Sequence, residues 1–142
     1  MVVATRRQGA LDAAIPRTRR ELAGPRGTVL VEVPTTRRER ARGLRRRAGL
    51  APGTGLLLER CRSVHTFGMR FPIAVAFLDR DLAVLEVRRV PAGRLLRPRR
   101  RVRHVLELPV GADVRVGDRF SRPARGPRTT PDARRTGRRP RT

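Results

Sequence analysis

Through the middle of the chain, apolar and polar positions alternate with a period of two, the pattern of half-buried β-strands. Val29, Val31 and Val33 alternate with Leu30 and Glu32 until Pro34 ends the run. Leu56, Leu57 and Leu58 read as a short buried strand after Gly53 and Gly55. The strongest strand pattern sets Phe71, Ile73, Val75 and Phe77 on one face and Ala74 and Ala76 on the other. Small residues on that second face predict close packing there as well. Val102, His104, Leu106 and Leu108 form another one-faced run, and Val114 and Val116 follow a turn at Gly111.

One segment breaks the pattern. Thr36 with Glu39 three residues later forms a capping box, which opens a helix predicted over about residues 36–48 and ended by Gly49. Its apolar stripe is thin (Ala41, Leu44 and Ala48), with seven arginines around it, so it docks along one narrow edge. Gly43, beside the stripe, would permit close approach to the sheet. Residues 79–82 predict a hairpin turn returning through residues 83–90. A three-residue loop there sets Leu85 opposite Phe77 and Val87 opposite Val75. It also puts Leu82 where glycine is favoured, implying a strain of about 1 kcal/mol or a different register. About six strands at short spacing with one short arginine-rich helix argue for a mainly β domain, a small antiparallel β-sandwich or barrel-like fold.

Composition adds the boundaries. The 142 residues suit a single domain. Residues 121–142 carry eight arginines, one acid and no apolar side chain larger than alanine, and read as a disordered basic tail. Residues 1–27, broken by Pro16, Gly24 and Pro25, are expected to be a poorly ordered extension with at most a short helix over 18–23. The folded domain is thus expected over 28–120. Net charge is +23 and all 35 basic residues are arginine. A GC-rich coding bias accounts for arginine over lysine but not for the size of the excess, which favours polyanionic partners. A lone cysteine excludes an internal disulfide and suits a reducing compartment. With no apolar run of signal-peptide or membrane-span length, a soluble cytoplasmic protein is expected.

The ordered set of segments is specific. Val31-Glu32-Val33 leads to Glu39-Arg40-Ala41-Arg42-Gly43-Leu44, then Gly55-Leu56-Leu57-Leu58 and His65-Thr66-Phe67-Gly68-Met69-Arg70-Phe71-Pro72-Ile73. A Phe77-Leu78-Asp79 hairpin, Val105-Leu106-Glu107-Leu108 and Gly117-Asp118-Arg119 complete it. This resembles the bacterial and archaeal domain of unknown function 192 family over roughly residues 28–120. The resemblance implies a small, mainly β, sandwich-like domain and no established activity. Relatives usually carry an acid where this chain has Ala74, and glycine where it has Leu82; if that acid serves a shared activity, this chain has lost it, and if it serves structure alone, this chain is merely less stable.

The rare residues gather at 61–69, where Cys61, Ser63, His65 and Met69 are the candidates for a ligand site. Cys61, His65 and Met69 recur every four residues, and on an extended strand they share a face as soft ligands suited to copper or zinc. The outer two would then lie roughly 26 Å apart, too far for one ion unless the segment bends at Gly68. The plainer reading makes Cys61 and Met69 core filler and His65 a hydrogen-bonded residue near the rim. A cysteine–histidine nucleophile is the enzymatic alternative. However, His104 among Val102, Leu106 and Leu108 reads as a satisfied core histidine, and no phosphate loop, G-x-S-x-G or paired-carboxylate motif occurs. No catalytic residue, metal or cofactor is assigned.

Arg45, Arg46 and Arg47, with Arg99, Arg100 and Arg101, are the candidates for polyanion contact. Without Trp or Tyr, and with four phenylalanines expected in the core, base stacking has no evident platform. The resulting expectation is a non-catalytic binding or accessory module for an unidentified ligand or protein partner. The alternatives are nucleic-acid or other polyanion binding through the arginines, nonspecific in the simplest case, and an enzyme or metal site on the 61–69 segment.

Overall fold

A computed structural model describes residues 18–123. Its strands in chain order are β1 (Thr18–Gly24), β2 (Gly27–Val33), β3 (Thr54–Glu59), β4 (Val64–His65), β5 (Ile73–Leu78), β6 (Val84–Val90), β7 (Leu95–Leu96) and β8 (His104–Pro109), with one helix, α1 (Arg37–Arg42), between β2 and β3. Six strands form one sheet in the order β1-β2-β3-β8-β5-β6, and β4 pairs with β7 as a separate ribbon. The domain is mainly β, as expected, but neither fully antiparallel nor a closed barrel. β2 and β3 run parallel, which needs a crossover, and residues 34–53 with α1 supply it.

The sheet begins before residue 28. Residues 18–23, expected to be helical or poorly ordered, form β1 and pair along its whole length with β2, from Thr18 opposite Val33 to Gly24 opposite Gly27. The Gly-Pro-Arg-Gly run that suggested a break is a tight hairpin turn. Leu22 is fully buried, so burial across the sheet overrides local propensity. At the other end, Ser121 and Ala23 exchange backbone hydrogen bonds of 2.8 and 2.9 Å, Phe120 N–H donates to Leu82 O, and Val84 N–H donates to Asp118 O at 2.8 Å. Residues 118–121 therefore hydrogen-bond to both outer parts of the sheet, spanning the gap that the strands leave open. The expected extension over 1–17 and tail over 124–142 lie outside the described residues.

Alternation sorts the core into two clusters, one on each face. Leu22, Val31, Val33, Leu57, Ala74, Ala76, Leu78, Val84, Leu106 and Leu108 share one face, closed by Leu82, Val114 and Phe120. Leu56, Leu58, Ile73, Val75, Phe77 and Val105 share the other, covered by Leu44, Val64, Leu96 and Val102. Every residue of β5 is buried, as the Ile/Val/Phe and Ala faces predict. Val102 lies on the face opposite Leu106, not beside it.

The capping box forms as read: Glu39 N–H donates to Thr36 Oγ1 at 3.1 Å, and Thr36 N–H donates to Glu39 Oε2 at 3.1 Å. The helix nevertheless ends six residues early, because Gly43 takes φ 47° and closes it. That glycine serves conformational freedom rather than close packing. Leu82 does occupy the left-handed region, at φ 61°. The hairpin register differs from expectation beyond the loop. A bulge at Leu85, between the Phe77–Glu86 and Leu78–Val84 pairs, sets Ala76 opposite Val87 and leaves Leu85 partly exposed. Val114 is buried in a loop, Val116 is exposed, and the described residues form no strand there. Among the described residues no helix is long and apolar enough to cross a membrane.

Candidate binding cleft

All four residues singled out between 61 and 69 line one cleft of about 130 Å³. It lies between the end of β3, the segment 61–69 and the last turn of α1 with the residues that follow. Leu44, Leu58, Val64 and Met69 supply apolar wall, and Arg40, Arg42 and Arg45 supply charge around it. The sequence spacing that looked too long for one site works because the segment is not one strand. After Cys61, only Val64 and His65 are extended, and a turn follows, with Met69 N–H donating to Thr66 O at 3.3 Å.

Thr66 holds this turn. It is fully buried, its Oγ1 donates to Pro91 O at 2.8 Å, and Arg94 N–H donates to the same Oγ1 at 2.8 Å. Its backbone N–H donates to Arg94 O at 2.7 Å. On the opposite side, Arg45 Nε–H donates to Phe67 O at 3.2 Å, tying the turn to the end of the helix. Phe67 is 47% exposed, which corrects the expectation of four buried phenylalanines. Its ring stacks on His65, with centroids 5.4 Å apart and planes 24° from parallel.

The floor holds a group that sequence reasoning passed over. Glu107 on β8 is only 3% exposed, and lies in register with Leu56 of β3 and Val75 of β5, both apolar on the cleft side of the sheet. β3 approaches closely here, since a Cβ on Gly55 would lie 2.7 Å from Glu107 O. The Glu107 carboxyl makes no hydrogen bond among the described residues. Burial pushes its pKa up to about 8, and the charge of Arg47 pulls it only partly back. At neutral pH it is therefore mostly a neutral carboxylic acid, able both to donate and to accept. Its one signal in the sequence is an acid set within the apolar run Val105-Leu106-Glu107-Leu108.

The cysteine is not arranged as a nucleophile. Its Sγ–H donates to Ser63 O at 2.9 Å, and burial raises the thiol pKa, so the reactive thiolate is disfavoured. Among the described residues, no group of three or more His, Cys, Asp or Glu is placed to hold a metal ion. His104 lies away from the cleft, where its Nδ1 accepts from Arg60 N–H at 3.2 Å.

The two arginine triplets do not remain intact as open clusters. Arg47 pairs with Glu32, its side chain is only 14% exposed, and its buried Nε has no hydrogen-bond partner among the described residues. Arg99 pairs with Glu86 at 3.0 Å and lies over the Phe77 ring, 5.8 Å from its centroid. Arg45 is committed to Phe67 O, which leaves Arg46, Arg100 and Arg101 as exposed members whose side chains make no hydrogen bond or ion pair among the described residues. Even Arg122, in the expected tail, pairs with Glu59, which also binds Arg20 at 3.3 Å.

No curated protein matches the chain significantly. Two crystal structures share its fold. One, from Sinorhizobium meliloti 1021 and described as a candidate transcription regulator, aligns with a TM-score of 0.67 at 23% identity, over 78% of this chain and 98% of its own. The other, a protein of unknown function from Novosphingobium aromaticivorans, aligns with a TM-score of 0.61 at 20% identity, over 77% and 87%. The sequence resemblance implied an acid at position 74. Ala74 is fully buried in the other cluster, beside Leu108, so an acid there would face away from the cleft and its absence removes nothing from this site. Residues 19–121 match the model of the family that the motifs resemble, DUF192, whose description is "Uncharacterized ACR", and the chain belongs to it.

Proposed function

We propose that this domain is a non-catalytic binding module whose ligand site is the cleft between Glu107 and the 61–69 segment. One observation carries the reading: a carboxyl 3% exposed, without a hydrogen-bond partner among the described residues, at the floor of a cleft with apolar walls and arginines around it. Burial holds this carboxyl largely out of water and disfavours its charged form, and a purely structural position would be filled better by an apolar side chain. Such burial is tolerated where the group meets a ligand. The half-buried thiol and its bond to Ser63 O support binding over nucleophilic chemistry.

Small ring compounds test this directly. Benzene and phenol are titrated into the labelled protein while backbone amide shifts are followed by NMR. Saturable shifts at Leu58, Val64 and Phe67 are expected from both, with phenol weakened and benzene unaffected or tightened in Glu107→Leu. Binding of both compounds unchanged by Glu107→Leu, or no movement of these amides with either, refutes the reading.

A further inference from the structure

We propose that the cleft takes the single six-membered ring of a pyrimidine nucleotide, with the His65–Phe67 pair at its mouth and the phosphate on the arginines of α1; this rests on the cleft being a ligand site. Size comes first. A dry cavity of roughly 150 Å³ holds one benzene, and this cleft, at about 130 Å³, is of that order. One ring fits, whereas the second ring of a purine would be left outside.

Chemistry narrows the ring further. The floor presents one carboxyl, and a neutral carboxylic acid offers an O–H donor beside a C=O acceptor. Cytosine and uracil each place a donor and an acceptor side by side on one ring edge and can meet both. Charge then places the phosphate. Arg40 and Arg42 border the cleft, and their side chains make no hydrogen bond or ion pair among the described residues, in contrast to those of Arg45, Arg47 and Arg99. Guanidinium groups bind phosphate oxygens in pairs. Finally, Phe67 is an apolar ring left half in water, already stacked on His65. Its backbone carbonyl is held by Arg45, and the adjoining Thr66 is anchored by its hydroxyl bonds. A fixed aromatic face beside free arginines is the arrangement on which bases and sugars stack.

The ligand could be a free nucleotide or one residue of a single strand, and the experiment separates them. The full-length protein is titrated with CMP, UMP, AMP, GMP, cytidine, inorganic phosphate and a short oligodeoxycytidylate, with amide NMR as readout. CMP or UMP should move Val64, His65 and Phe67 saturably. AMP and GMP should bind about tenfold more weakly, because the bulkier bicycle cannot seat its six-membered ring fully in the cleft and so loses buried area. Phe67→Ala should weaken CMP about tenfold without lowering the thermal midpoint, and Arg40→Gln should weaken CMP but not cytidine.

Oligodeoxycytidylate binding tighter than CMP, with the same amides moved and the same Phe67 dependence, assigns the site to a strand. Equal or weaker binding assigns it to the free nucleotide. The proposal is overturned if phosphate alone reproduces the CMP shifts, if purines bind as well as pyrimidines, or if Phe67→Ala changes nothing. If phenol moves the cleft amides and no nucleotide does, the nucleotide assignment falls and the ligand cleft stands; if neither does, both fall.

Discussion

Glu107 should make the domain less stable as pH rises through the range in which most acids have already ionised. In the unfolded chain its carboxyl titrates near 4.5, and in the folded protein near 8, because burial disfavours the charged form. Between those values the folded state holds a proton that the unfolded state has released. The stabilisation is complete below about 4.5 and is lost as pH rises through about 8. The slope is about 1.4 kcal/mol per pH unit, so the whole window is worth about 5 kcal/mol, a large share of a small domain's stability. His104 opposes this: burial lowers its pKa, so it favours unfolding as pH falls below its ordinary 6.5.

Glu107→Gln isolates the carboxyl, since glutamine keeps the shape and cannot titrate. Urea unfolding of both proteins, followed by far-ultraviolet circular dichroism from pH 5 to pH 8.5, gives the difference at each pH. The variant's stability relative to wild type should rise steadily across that range, by several kcal/mol in total. Parallel curves for the two proteins would show that Glu107 ionises in the fold as it does in water, and would remove the basis for a neutral carboxyl in the cleft.

Other substitutions test the surrounding frame. Leu82→Gly removes a positive φ worth about 1 kcal/mol but deletes a side chain only 6% exposed; core leucine truncations cost about 2–5 kcal/mol, so urea unfolding should show net destabilisation, and a gain would refute this. Thr66→Val leaves Pro91 O and Arg94 N–H without their partner, so a loss of about 1–3 kcal/mol is expected, together with faster amide exchange at residues 64–67; unchanged exchange would contradict the anchoring role. Cys61 should react with a disulfide reagent at neutral pH more slowly than a free thiol, because burial keeps it protonated; reaction at the free-thiol rate would count against that environment.

The strands most legible in the sequence were those with two apolar faces or strict alternation. β5 is the clearest, since Ile73, Val75 and Phe77 serve one cluster and Ala74 and Ala76 the other. β1 was illegible because Thr18-Arg19-Arg20-Glu21 has no apolar period, and its strand state comes from pairing with β2. The helix start was readable from Thr36 and Glu39, but its end was not, since a glycine beside an apolar stripe reads equally as packing or as a stop. For the cleft, the concentration of rare residues pointed to the right segment while strand geometry argued against a shared site. The turn held by Thr66 reconciles the two, and it depends on Pro91 and Arg94, too distant in sequence to pair by pattern. Glu107 was hidden for a related reason: one acid in an apolar strand identifies itself only once its neighbours Leu56 and Val75 are known.

The position of β8 has a consequence for how the molecule is made. It is the last strand among the described residues, yet it lies between β3 and β5 at the centre of the sheet. During synthesis, β1–β2–β3 and β5–β6 emerge first as two separate pieces, each with an unpaired edge where β8 belongs. Neither can complete its core until residues 104–109 arrive, and residues 118–121 must follow before the outer strands are joined. Such non-local closure slows folding and leaves sticky edges exposed meanwhile. A ribosome stalled before residue 104 would therefore hold an aggregation-prone chain, and the strand that relieves this hazard is the one that brings Glu107 into the cleft.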